Sequence, residues 1–270
     1  MPIDSGPVPG DARSSIPQEL VIDYENIVTE DDTPVDNLIS EKQQRLLTDA
    51  LYNSWSPNRP FVAMANVGLF FAIKQPPYVP DVLLSLDVHA PKDMAPKPNR
   101  SYFVWEYGKP PNVVIEVVSN KVGGEDTNKL ADYAKIGIAH YAIFDPFHEL
   151  GDQTLRVFEI SGRGYQPMVP TGEGTFWMPS VGLGLTLWEG EYEEMQAEWL
   201  RWTDATGSII PTGGEAMKIE QRRADNEKQR ADAEKQRADQ SEQLIDAERE
   251  RTERLATKLR ELGIDPSTLQ

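Results

Sequence analysis

The 270-residue chain carries 44 acidic against 27 basic side chains, a formal net charge of -17, and no cysteine. Its length allows one sizeable core with appendages, and the lack of thiols excludes a disulfide framework and a thiolate zinc site. The basic surface that marks most nucleic-acid binders is missing, which counts against such a partner unless a local groove opposes the net charge.

Residues 1–18 are rich in Pro, Gly, Ser and Asp and read as a disordered leader. The N-terminus lacks the apolar core of a signal peptide, and no stretch nears the ~20 apolar residues of a membrane span. A cytoplasmic chain without membrane contact is expected. A first helix is predicted from Ser40, which has capping-box spacing to Gln43. Ile39, Leu46, Leu47, Ala50, Leu51 and Trp55 share one of its faces, and Ser56-Pro57-Asn58-Arg59-Pro60 ends it.

Strand signals follow at Phe61 to Ala65, Val67 to Ile73 and Val79 to Val88, the first two separated by the turn residue Asn66. A Pro/Lys loop over 91–99 leads to the aromatic segment Tyr102-Phe103-Val104-Trp105. Next comes Val113-Val114-Ile115-Glu116-Val117-Val118, an apolar run bounded by Pro110-Pro111 and Ser119-Asn120, which reads as a strand buried on both faces. After Gly123-Gly124, Asp126 is placed to cap a helix ending at Gly137. Tyr141 to Phe144 reads as a strand, 154–160 with 165–169 as a hairpin, and 181–187 as an edge or returning strand. Tyr192, Met195, Trp199 and Trp202 have the spacing of a last core helix. This order predicts an α/β fold, a mixed sheet with an antiparallel front half and a crossover helix.

Beyond the linker 207–214 the composition changes: Arg223 to Gln229 nearly repeats at 230–236 and again, loosely, at 237–243. This seven-residue period describes one long helix from Glu215 to Leu262, on the order of 70 Å. Ala224, Ala231, Ala238, Ile245, Thr252 and Leu259 share one register position; Glu227, Glu234, Ser241 and Glu248 precede Leu255 and Leu262 at its partner position. Only the last turns have an apolar seam. The first half is expected to rest on the pairs Asp225–Lys228, Glu227–Arg230, Asp232–Lys235 and Glu234–Arg237. An oligomerising coiled coil and a solvated helix docking by its last turns both fit.

The chemistry concentrates on Glu116. A carboxylate in an apolar strand is costly to bury without a cation or hydrogen bonds. Asp81 follows Pro80 at the head of an apolar strand, and Lys129 lies on the helix after Glu116. If neighbouring strands bring Asp81 and Glu116 together, two carboxylates share one site and call for a cation between them. A hard divalent ion, Mg²⁺ or Mn²⁺, takes such oxygen ligands. The plainer readings are a strand-opening aspartate, a structural Glu116–Lys129 salt bridge and a solvated lysine. His89, His140 and His148 lack metal-ligand spacing, and no phosphate loop or nucleophile elbow is present.

Pro80-Asp81, Ile115-Glu116-Val117-Val118-Ser119, Asp126, Lys129, Tyr133, Gly137, Tyr141 and Asp145-Pro146 together resemble the Uma-type family of putative restriction endonucleases, within the PD-(D/E)XK nuclease superfamily. The resemblance spans roughly residues 20–200, and the closing segment Leu259 to Pro266 is similar to tails attached to this family. It implies a restriction-endonuclease-like mixed sheet flanked by helices, over residues 19–206. A linker at 207–214, a long charged helix or coiled coil at 215–262 and a tail at 263–270 follow. It makes Asp81 and Glu116 metal-binding catalytic acids, with the Val117 carbonyl as a third metal ligand. Val118 stands where the superfamily places lysine, and Lys129 is the matching position for the displaced amine. Asp126 would orient Lys129, and Glu41 on the first helix is a further candidate acid. Ala139-His140-Tyr141 departs from the family's Glu-Tyr-Trp pattern, a matter of packing.

The function implied is a Mg²⁺- or Mn²⁺-dependent endonuclease acting on nucleic acid, DNA in the first instance. The alternative is a catalytically weak nuclease-fold interaction protein working through its C-terminal helix, as a homodimer or with a partner protein.

Overall fold

The computed structural model describes residues 37–72, 75–119, 124–125, 127–162, 164–172 and 174–262, without the side chains of residues 97 and 98. The expected leader, Asp126 and the tail lie outside the described residues. The chain divides into two compact units, Met1–Ile210 and Pro211–Gln270.

The first unit is built on a six-stranded sheet in the order β1-β3-β5-β6-β7-β8. Its strands are β1 (Phe61–Ala65), β3 (Val82–Leu86), β5 (Val113–Val117), β6 (His140–Phe144), β7 (Leu155–Ser161) and β8 (Gly164–Pro167). Within this sheet, among the described residues, only β5 and β6 pair in parallel. Parallel neighbours need a crossover, and α3 (Asn128–Ile136) lies between them in sequence. Gly137 ends α3 in the left-handed region, φ 89°, which glycine enters without Cβ strain.

Strand alternation sorts the core into two faces. Val82, Leu84, Val113, Ile115, Val117, Ala142 and Phe144 join one cluster with Leu46, Leu47, Ala50 and Leu51 of α1 (Leu38–Ser54). Leu83, Val114, Val118, Tyr141 and Ile143 join the other with Tyr133 of α3. Because the side-chain period is two, Glu116 lies on the α3 face, between Val114 and Val118.

Helix α1 starts two residues before Ser40. Asn37 is its cap and accepts from the Ser40 N–H at 2.9 Å, while Ser40 is buried within the first turn. The predicted strand Val67 to Ile73 shortens to β2 (Leu69–Phe70), which pairs in parallel with β4 (Tyr102–Phe103) in a separate small sheet. Asn66 takes the turn conformation with φ 52°, and the short helix α2 (Val104–Tyr107) follows β4.

The predicted helix over 192–202 is a strand. β9 (Phe176–Met178), β10 (Leu183–Tyr192) and β11 (Met195–Thr203) form a three-stranded sheet with β10 at its centre. Tyr192 pairs with Met195 across a two-residue turn, Glu193-Glu194, with φ 45° and 66°. Trp199 and Trp202 are spaced like helix neighbours because the end of β11 is buried on both faces, so alternation is lost there. Gln43 completes this strand from α1: its amide donates to Leu200 O at 2.8 Å and accepts from Leu200 N at 3.0 Å.

The second unit contains α4 (Gly213–Glu261), a single helix opened by a capping box between Thr212 and Glu215. None of its residues is buried. The ion pairs along it are Glu220–Arg223, Asp246–Arg249, Glu248–Arg251 and Glu250–Arg254; the four expected pairs are not among them, which moves the charge pairing towards the helix ends. No helix among the described residues is long and apolar enough to cross a membrane.

Candidate active site

β3 and β5 run antiparallel, with Val82 opposite Ile115. Asp81 immediately precedes Val82 and Glu116 immediately follows Ile115, so the two lie at the same end of this strand pair. Glu116 is buried, with its side chain 3 % exposed. Its Oε1 accepts from the Tyr133 hydroxyl at 2.6 Å, and its Oε2 accepts from Lys129 Nζ at 3.0 Å. Both donors come from α3, four residues apart and therefore on one helical face. Lys129 is not a solvated helix residue: its amine turns inward and also donates to Glu125 Oε1 at 3.1 Å.

Asp81 is fixed at both oxygens. Gln44 of α1 donates to Oδ1 at 2.7 Å, and the Val117 N–H donates to Oδ2 at 2.7 Å. Asn66 in turn donates to Gln44 Oε1 at 2.9 Å, which orients the amide. The strand carrying Glu116 thus also holds Asp81.

The electrostatics follow from burial. Desolvation raises the Glu116 carboxyl above its usual range, opposed by Lys129 and the Tyr133 hydrogen bond. Burial pulls Lys129 down, but Glu116 and Glu125 outweigh it and the ammonium is held above its ordinary value. Tyr133 and Tyr141 are pushed well up by burial and by Glu116. Asp81 adds to the negative field at both phenols, so they stay protonated as donors.

Two carboxylates, Glu116 and Glu125, are therefore set against the Lys129 ammonium. The buried Oε2 of Glu125 has no hydrogen-bond partner among the described residues. Both observations suit an additional cation. Among the described residues no group of three or more His, Cys, Asp or Glu side chains is placed to hold a metal ion.

Of the residues singled out from the sequence, Asp81 meets the Val117 N–H and Glu116 meets Lys129, and Val118 is buried on the same face as Glu116. Glu41 does not join them; it pairs with Arg45 at 2.6 Å on the exposed side of α1. Gln44, Asn66 and Glu125 were missed. Gln43 and Gln44 sit on the apolar face of α1, one turn before Leu47, and polar groups buried there need partners. Glu125 carried no signal beyond its position four residues before Lys129.

A family model described as Uma2, putative restriction endonuclease, matches residues 27–214. Among solved structures, the chain is similar to a putative nuclease belonging to DUF820 from Anabaena variabilis. Their identity is 17 %, with a TM-score of 0.41, over 54 % of this chain and 75 % of that one. A search of curated proteins gave no match.

Proposed function

Since the chain belongs to the Uma2 family of putative restriction endonucleases, we propose that it is a divalent-metal-dependent endonuclease that hydrolyses phosphodiester bonds in DNA, with Asp81, Glu116 and Lys129 as its catalytic residues. The observation that carries this reading is the Lys129 amine at 3.0 Å from the buried Glu116 carboxylate, where β5 itself has Val118.

Asp81, Glu116 and the Val117 carbonyl would hold Mg²⁺ or Mn²⁺. Bound there, the ion supplies an acidified water and neutralises charge on the phosphate. Gln44 and the Val117 N–H keep Asp81 from rotating, and the Tyr133 hydroxyl fixes one oxygen of Glu116. Among the described residues Lys129 presents the one ammonium in this cluster, and it stabilises negative charge developing on a phosphate oxygen. Val118, Tyr133, Tyr141 and Ile143 pack under the site and exclude water from its floor.

The test is a Mg²⁺ and Mn²⁺ titration with plasmid and oligonucleotide substrates, comparing the wild type with Glu116→Ala and Lys129→Ala. Metal-dependent cleavage lost in both variants supports the reading; cleavage surviving both overturns the assignment. The second reading, an interaction protein working through α4, is favoured by the exposed apolar residues Leu244, Ile245, Leu255 and Leu262 on that helix. It predicts a wild type that neither binds metal nor cleaves.

A further inference from the structure

Glu125 has no role in the site as assigned so far, yet its side chain is 9 % exposed and lies in the turn before α3. The turn is built to place it. Gly124 adopts φ 68°, and its carbonyl accepts from the N–H groups of Thr127 and Lys129. The Glu125 carbonyl accepts from the buried Tyr141 hydroxyl at 2.9 Å. Position 125 is thereby fixed four residues before Lys129, the spacing at which Glu and Lys meet.

The Lys129 ammonium sits almost evenly between two buried acids, 3.0 Å from Glu116 Oε2 and 3.1 Å from Glu125 Oε1. The other oxygen of Glu116 is taken by Tyr133, whereas Oε2 of Glu125 has no hydrogen-bond partner among the described residues. An unmatched buried carboxylate oxygen is costly, and the ammonium already on Oε1 is a donor able to relieve it. A small displacement of Nζ towards Glu125 would keep the lysine paired and release Glu116 Oε2.

We propose that Glu125 is a positioning residue: it takes over the Lys129 ammonium when a divalent cation occupies Glu116, so that lysine and cation do not compete for the same carboxylate. This rests on the metal set proposed above. Without Glu125 the ammonium has one buried partner, Glu116, and cation binding would leave two positive groups facing one acid.

The test is calorimetric titration of Mn²⁺, without substrate, into the full chain and into Glu125→Gln, Lys129→Met and the double variant, with folding checked by circular dichroism. Glu125→Gln keeps the shape and loses the charge. It is expected to weaken Mn²⁺ binding by about 10-fold, within the range for outer-shell partners of metal ligands. Lys129→Met, which removes the competitor, should restore binding in the Glu125→Gln background. A purely structural role for Glu125 predicts no such rescue. Unchanged Mn²⁺ affinity in Glu125→Gln, or weakening that persists in the double variant, overturns the proposal while leaving the metal site standing. A wild type that binds no Mn²⁺ overturns the metal set and this inference with it.

Discussion

The Lys129 ammonium reaches from α3 to within 3.0 Å of Glu116, a carboxylate in the middle of a strand buried along its whole length. The two residues are mutually dependent. Glu116 is tolerable in an apolar strand because Lys129 and Tyr133 meet its two oxygens, and Lys129 is drawn inward because Glu116 and Glu125 are there.

Removing the lysine tests that dependence. Lys129→Met leaves the acid buried without its cation, a loss of about 3 kcal/mol at neutral pH. The sign of its pH dependence is fixed by the upward shift of Glu116. A buried carboxyl raised above its unfolded value is tolerated when protonated, so the folded variant binds the proton more readily than the unfolded chain. The deficit relative to wild type should therefore shrink as pH falls towards the carboxylate range and be largest above neutrality. Urea unfolding at several pH values measures it; a deficit independent of pH would mean that Glu116 is not the group left unpaired.

Tyr133→Phe deletes one hydroxyl and leaves Glu116 Oε1 without its donor. A stability loss of about 1–3 kcal/mol is expected from an unsatisfied buried acceptor, read as a lower denaturant midpoint at unchanged slope. An unchanged midpoint would show that the 2.6 Å bond contributes nothing net.

Gln44→Leu keeps an apolar volume on the buried face of α1 but removes the amide that donates to Asp81 Oδ1. If Asp81 holds the metal, Mn²⁺ affinity should fall by about 10–100-fold. Equal affinities for Gln44→Leu and wild type would indicate that the amide only fills space.

His140 gives a pH response unrelated to the site. Its imidazole is buried, bonded through Nε2 to Ser180 Oγ at 2.9 Å, and burial lowers its pKa. The unfolded chain takes up the proton first, so stability is present above the unfolded value of about 6.5 and declines as pH falls below it. His140→Gln should flatten the stability curve below about pH 6.5. The same slope in variant and wild type would assign the decline to other groups.

The turn between β10 and β11 holds Glu194 at φ 66°, a left-handed conformation that costs a non-glycine residue. Glu194→Gly should raise stability by about 0.5–1 kcal/mol after the entropic cost of glycine. Glu193 must stay, since it pairs with Lys42 at 2.6 Å and Arg45 at 3.0 Å. A lower melting temperature in Glu194→Gly would show that the turn is not strained.

These residues also show what a sequence can reveal. β5 and β6 are legible because each is apolar but for one residue, Glu116 and His140, and α3 because Gly137 stops it. β11 is not: its turn is Glu-Glu rather than Asn-Gly, and burial on both faces erased the alternation that separates strand from helix. At the site, Glu116 is visible as a charge in an apolar strand, and Lys129 becomes visible once a cation is sought. Gln44 and Glu125 act through contacts between elements distant in sequence or hidden in a turn, and no local pattern marks them. Likewise, the α1 cap fell on Asn37 because the Asn37 carboxamide reaches the Ser40 N–H, whereas Ser40 faces the core.

The most direct test of the central claim is plasmid cleavage by Asp81→Asn at saturating Mn²⁺ beside the wild type. Asparagine keeps an oxygen for the Val117 N–H and the shape of the site, so the fold should survive. The proposed role of Asp81 as a metal-holding catalytic acid predicts strong Mn²⁺-dependent nicking by the wild type and a loss of about 100- to 1,000-fold in the variant, the scale of removing a group that stabilises developing charge. Equal cleavage by both proteins at equal Mn²⁺ would contradict it.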